Sequence, residues 1–324
     1  MTDISFLSGK NKSKTKKAIN SVIGRVFRYY MLLVVGYIVL YPLFYMVSTA
    51  IKGERALQDV SFIWFPQYIT HEWFSVAAEL LNFKTSILRT LSLQIVSAAI
   101  EVISCSVAAY GFARFNFKGK KVAMFFLVLS LMIPLSMYGM SLSVNYRSLD
   151  ILGIFGLFNK ATGIDLRLNI FNTDWCYWLP SLFAVGIRSG MIIYIYIQFF
   201  SGLPRELEDA AYVDGAGPVR TFLSIALPSS SVVIVTVTVL SFIWHWNETY
   251  LAQLCFLSEK IPLSVSLANM EQSLQQLGMW LDNTPEAPSI VFCACLIYIV
   301  IPLGLYLVLQ RKFVKSIDRV GITG

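Results

Sequence analysis

Six stretches of this 324-residue chain are long, apolar and nearly free of charge: 27–51, 90–112, 122–144, 176–201, 225–249 and 286–309. A helix rising ~1.5 Å per residue needs about 20 residues to cross a hydrocarbon core ~30 Å thick, and each stretch reaches that length. The runs are continuous and lack the alternation of barrel strands. Lipid offers no partner to backbone N–H and C=O groups, so a helix is the form that satisfies them within one segment. The pattern therefore predicts an all-α fold, a polytopic membrane protein with six transmembrane helices. The first run begins too late and is too long for a cleaved secretory signal, so it counts as a span.

Polar stretches separate the runs. Long ones cover about 52–89 and 145–175, and a tight basic turn lies near 113–121. The connection at 201–224 is neither a short turn nor a domain. Pro204 stands near a helix start, and Glu206, Glu208 and Asp209 follow in the first turn, where the helix dipole favours carboxylates. Asp214 and Gly215 are placed to end that helix, and Pro218 to begin a second one carrying Phe222, Leu223 and Ile225. Two short helices meeting at a glycine bend, with Leu207, Ala210 and Ala211 at helical spacing, suit docking into a partner's groove. The same periodicity suits a hairpin lying on the membrane surface, and periodicity alone leaves both open. The expected organisation is a basic tail at 1–26, a membrane domain at 27–309 with this loop at 203–228, and a second tail at 310–324.

Composition agrees: 56% of residues are hydrophobic, 14% are charged, and the mean hydropathy is +0.64, which excludes an ordinary soluble domain. The net charge of +7 would suit nucleic acid, yet the basic residues are sorted by side. With the N-terminus inside, seventeen Lys and Arg fall on inner segments, Lys10 to Lys17 and Lys118 to Lys121 among them, and eight on outer ones. That bias puts both termini in the cytoplasm, so no nucleic-acid partner is needed, while membrane lipid is one. Five cysteines form no metal-ligand framework. Cys293 and Cys295 share one run, and Cys176 and Cys255 fall on the expected outer side, with no role assigned to any of them.

Glu101 in the second run and Arg188 in the fourth are the two clear cases of an ionisable residue deep inside a run, 11 and 13 residues from the inner ends. Those depths are roughly 16 and 20 Å, so the two are expected to form an intramembrane charge pair, with contact to a solute the alternative. Trp244, Trp246, Asn247, Glu248 and Tyr250 cluster at the outer end of the fifth run. Their aromatic faces and hydrogen-bonding groups are of the kind that hold sugar rings, and equally of the kind that anchor helices at a membrane boundary. His245, among them, has no second ligand at i+4 and reads as a buried polar group. With no HExxH helix and two histidines in all, no catalytic or metal site is expected.

The residues Leu203, Pro204, Glu206, Leu207, Glu208, Asp209, Ala210, Ala211, Asp214, Gly215, Ala216, Leu227 and Pro228 resemble the EAA loop of type I ABC importer permeases. Asp209 stands where the family usually has Glu. Around the second run, Ala108, Ala109, Tyr110, Phe112, Ala113, Arg114, Phe115, Phe117 and Gly119 resemble the carbohydrate-uptake subfamily, in particular its second maltose-type permease. Pro134, Trp246 with Asn247, and the tail from Gln310 through Phe313 to Gly324 are similar too, although Ser316, Ile317, Asp318 and Arg319 depart from the usual Gly-rich ending. The resemblance implies an inner-membrane component that forms half of a translocation path for a sugar or oligosaccharide, or, failing that, for a non-sugar solute. It implies a second permease subunit, two cytoplasmic ATPases and an extracytoplasmic solute-binding protein, in a bacterial cytoplasmic membrane. Glu206 to Ala216 would couple the chain to the ATPase. With no phosphate-cradling GxxxxGK[ST] loop here, ATP and Mg would be bound by that partner, and this chain would be neither an enzyme nor a cofactor carrier.

Overall fold

The structure, a computed structural model, describes residues 4–57, 68–150, 153–257 and 260–320. All regular elements among them are helices. The only pairings of strand type among the described residues are isolated bridges at Lys52–Ile69 and Leu149–Leu168.

The chain forms two compact units. The first takes residues up to Phe74 together with Leu281–Cys293. Its α1 (Ile4–Ala50) begins well before the expected 27, and the apolar part from Val22 to Ala50 is 29 residues long, about 44 Å. Side chains all round this part are exposed, Leu33 at 73% and Val39 at 65%. A helix apolar on every side and uncovered by its own chain is one made for lipid or for another subunit. After α2 (Glu54–Leu57) the chain closes back on the end of α1, with Gly53 N–H donating to the Tyr68 carbonyl at 2.8 Å and Thr70 N–H to that of Ile51 at 3.0 Å. Ser289 Oγ and Cys293 Sγ donate to the carbonyls of Thr49 and Ala50. The short α3 (Glu72–Leu80) leads into the second unit.

The second unit is built around α4 (Phe83–Arg114). Its buried face carries Thr90, Gln94, Ser97 and Glu101, while Leu88, Ile95, Ile103 and Val107 are more than half exposed. This reversal of the soluble pattern follows from the solvent: lipid accepts the aliphatic face, and polar groups must find partners inside the protein. Next, α5 (Lys120–Met132) and α6 (Leu135–Arg147) meet at 104° across Pro134. A proline ring clashes with the carbonyl four residues back and its nitrogen has no hydrogen to donate, so the expected third span is bent there.

After α7 (Ile154–Thr162) come α8 (Trp175–Leu182) and α9 (Ser189–Gly202), which together cover the expected fourth span. That span is not one helix. Ala184 and Arg188 both adopt left-handed backbone, φ 56° and 58°, and interrupt it between 183 and 188. The hairpin follows as α10 (Glu206–Val213) and α11 (Pro218–Thr221), then a π-helical turn at Phe222–Ala226 and α12 (Leu227–Ser229). A 79° bend leads into α13 (Ser231–Trp246), so the expected fifth span is bent as well. The remainder is α14 (Tyr250–Cys255), α15 (Leu263–Ala268), α16 (Met270–Gln276) and the long α17 (Ala287–Val320). By length and composition the described residues give three single-helix crossings, or five when each bent pair counts as one. Gly324 lies outside the described residues.

Among the described residues, two cores hold this unit together. One packs Tyr110 of α4 against Tyr196 and Phe200 of α9 and Phe222 of the π turn, with the Tyr110 and Phe222 rings 4.9 Å apart. The other gathers Tyr146, Cys176, Tyr177, Leu251, Cys255 and Phe256 from α6, α8 and α14. Cys176 and Cys255 are free thiols in it.

Candidate functional site

The hairpin at 203–228 takes its shape from local rules. At the end of α10, Gly215 N–H donates to the Tyr212 carbonyl at 3.0 Å and Ala216 N–H to the Ala211 carbonyl at 2.9 Å. This double closure requires a left-handed residue, and Gly215 supplies φ 80°. Asp214 is the C-cap, and Pro218 sits in the first turn of α11, where its missing N–H leaves no bond unmade.

Beside the packing of Phe222 and Ala226 into the core, a polar contact ties the hairpin to the rest of its unit. Arg114, in the last turn of α4, donates from Nε to Glu208 Oε1 at 2.9 Å and from a terminal nitrogen to the Leu203 carbonyl at 2.7 Å. Both side chains of the ion pair are only 6% exposed. A single guanidinium thus clips the end of α9 and the first turn of α10 to the end of α4, where the helix dipole favours a cation. Glu206, Asp209, Ala210, Asp214 and Gly215 are exposed, and Ala211 and Ala216 half-buried. Around them stand uncovered apolar side chains: Val213 at 87%, Val219 at 72%, Leu223 at 54% and Leu207 at 46%.

Inside the membrane unit the expected Glu101–Arg188 pair is absent from the ion pairs of the described residues. Glu101 is fully buried and accepts from Ser189 Oγ at 2.5 Å on one carboxylate oxygen and from Ser241 Oγ at 2.6 Å on the other. His245 Nδ1 lies 3.6 Å from Oε2 and 2.9 Å from the Ser241 carbonyl. A carbonyl only accepts, so Nδ1 is the donor of that bond. A Cβ on Gly186 would stand 2.8 Å from Glu101 Oε1, so the carboxylate rests against the α8–α9 break. Arg188 points elsewhere: it is exposed, with its guanidinium 5.3 Å from the centre of the Trp244 ring. The left-handed turn at Arg188 is the reason, because depth along the helix is kept while the direction of the side chain is not.

The aromatic cluster divides. Trp246 is fully buried, packed on Phe242 and Tyr298, whose hydroxyl donates to the Trp246 carbonyl. Glu248 Oε1 accepts the Leu251 N–H at 2.9 Å, and the Tyr250 hydroxyl donates to the Ser136 carbonyl at 3.4 Å. Trp244 is half-buried and Asn247 exposed. Hydropathy had no way to mark Ser189 and Ser241 as the partners of Glu101. Arg114 stood inside a motif already singled out, but nothing local linked it to residue 208.

A polytopic helical membrane protein with a clipped, partly apolar helical hairpin is the class this arrangement defines. A profile of the family described as "Binding-protein-dependent transport system inner membrane component" matches residues 102–319, and the chain belongs to that family, the permease subunits of ABC importers. It is similar to the trehalose transport system permease protein SugB of Mycobacterium tuberculosis, 28% identical over 90% of this chain and 95% of that one. It is also similar to the diacetylchitobiose uptake system permease protein DasC of Streptomyces coelicolor, 23% identical over 94% and 99%. The sn-glycerol-3-phosphate transport system permease protein UgpE of Yersinia enterocolitica is 22% identical over 90% and 95%. Among solved structures, a bacterial ABC transporter involved in import of the acidic polysaccharide alginate shares the fold, with a TM-score of 0.67 at 20% identity over 91% of this chain and 98% of that one.

Proposed function

We propose that this chain forms half of the translocation path of an ATP-driven importer for a sugar or oligosaccharide. In this reading a second permease subunit supplies the other half, two cytoplasmic ATPases bind ATP and Mg, and a solute-binding protein delivers the cargo. The observation that carries it is the hairpin. Val213, Val219 and Leu223 are uncovered apolar side chains on this element, and such exposure on the cytoplasmic side calls for a protein partner. Glu206, Asp209, Ala210, Ala211, Asp214, Gly215 and Ala216 form the docking side, and Glu208 faces inward to hold it. The six runs are six crossings, with α8 and α9 one crossing interrupted by a break, and both termini in the cytoplasm on the strength of the basic bias. The domain limits are 1–26, 27–309 and 310–324. The carbohydrate cargo rests on relatives such as SugB, named for trehalose transport, and DasC, named for diacetylchitobiose uptake.

The test is vesicles carrying this chain with its partner permease and ATPases, supplied with a solute-binding protein. Sugar-loaded binding protein should stimulate ATP hydrolysis and drive uptake. Stimulation by an amino acid, peptide or metal complex and by no sugar would replace the reading with a non-sugar importer.

A further inference from the structure

Arg188 is the one Lys or Arg that stands deep within an apolar run. About 21 Å of helix, the 14 residues of α9, separates it from the start of the hairpin at Leu203, so it stands well inside the membrane. Two independent features single out its position. Arg188 is exposed, although a charge facing hydrocarbon is strongly disfavoured. The backbone between α8 and α9 is also non-helical, and irregular backbone at membrane depth is tolerated only where protein covers it or where it lines an aqueous cavity. One side of the break is covered: Gly186 rests against the Glu101 carboxylate and Ser181. The other side is open, with Phe183 64% and Val185 70% exposed.

The carboxylate that would have neutralised Arg188 is committed elsewhere, to Ser189 and Ser241. Arg188 is instead braced on the Trp244 ring, a contact that fixes a guanidinium without using up its charge. A planar cation held beside an aromatic face suits a carboxylate or phosphate on a sugar-like ring: the guanidinium takes the anion through paired N–H donors, and the indole offers a flat apolar surface.

We infer that the α8–α9 break lines the translocation path, and that Arg188, braced by Trp244, is a station on it for an anionic group of the cargo. This rests on the chain being a transport permease and narrows its cargo class. The competing occupant is an acidic side chain of the second permease subunit, which would close the site to water.

The test uses the assembled importer in vesicles with a cysteine in place of Val185, on the open side of the break. Its probes are two methanethiosulfonates of similar size, one carrying a sulfonate and one a trimethylammonium group, and rates are read against the parent chain. With each rate divided by that reagent's rate toward a small free thiol, the sulfonate should be favoured over the cation roughly five- to thirtyfold, as expected for unit charges ~8 to ~4 Å apart in water, where attraction of one and repulsion of the other add. The preference should vanish in V185C/R188Q, persist in V185C/R188K, and shrink in V185C itself as ionic strength rises. The salt series needs no neutralising variant, so it decides the matter even if R188Q fails to assemble. No reaction with either reagent would mean the break is sealed by lipid or by the second subunit, and a preference independent of residue 188 or of salt would remove Arg188 from the site. Either result overturns the inference while leaving sugar-stimulated uptake, measured separately, to judge the broader reading.

Discussion

Two buried carboxylates meet α4, and they are served differently. At its C-terminal end, Glu208 from the hairpin receives a guanidinium, Arg114. Thirteen residues earlier, about 20 Å along the axis, α4's own Glu101 receives two serine hydroxyls from α9 and α13. A charge pair joins two elements through a strong, directional bond, and the loss of either member strands the other. Hydroxyls satisfy carboxylate oxygens without bringing a second charge into the interior, which is the gentler solution where lipid surrounds the protein. The polar tie between the hairpin and α4 is thus a clip whose failure is abrupt, and the interior is held by a knot whose failure is graded.

The widest gap between the two should come from breaking the clip. Arg114→Ala or Glu208→Ala leaves a buried charge unpaired and should lower stability by about 3–5 kcal/mol, read as thermal unfolding of the purified complex. The double change should cost much less than the sum, and additive losses would show that the two residues act separately. Glu101→Gln disturbs two buried hydroxyl partners and should cost about 1–3 kcal/mol. Arg188→Gln, at an exposed side chain, should shift the melt by less than ~0.5 kcal/mol, and the double variant should match Glu101→Gln. Equal losses in both single variants, with no further loss in the double, would restore the ion pair between them. Within the hairpin, Gly215→Val should add roughly 1–2 kcal/mol of backbone strain, because no atom lies within 4 Å of its would-be Cβ and only the left-handed φ opposes a side chain. Gly215→Asn should recover most of that loss, since Asn tolerates this region.

Much of the hairpin could be read from the sequence because its rules are local: acids in a first turn, a glycine at a left-handed position, a proline opening the next helix. What was not local was not legible. Glu208 and Asp209 are neighbours, and a step of one residue turns a helix by about 100°, so which of them faces α4 depends on how α10 rests against it. The link from Arg114 to Glu208 spans 94 residues. Glu101 and Arg188 were matched in depth, but the φ values of Ala184 and Arg188 turn the chain between α8 and α9, and an apolar run carries no sign of that. Pro134 was visible as a residue of the third run, and its 104° bend is what proline chemistry does when the chain does not hold the helix straight. The all-helical membrane fold itself followed from run length and the absence of alternation.

The coupling role of the hairpin is tested most directly at Val213, its most exposed apolar residue. In the assembled importer, a cysteine at 213 treated with a thiol–amine crosslinker should join this chain to an ATPase subunit, with the yield changing on ATP addition and falling in a Gly215→Val background. A position 213 that reacts freely with soluble thiol reagents in the complete complex, and gives no adduct with the ATPase, would contradict the assignment of this hairpin as the coupling element.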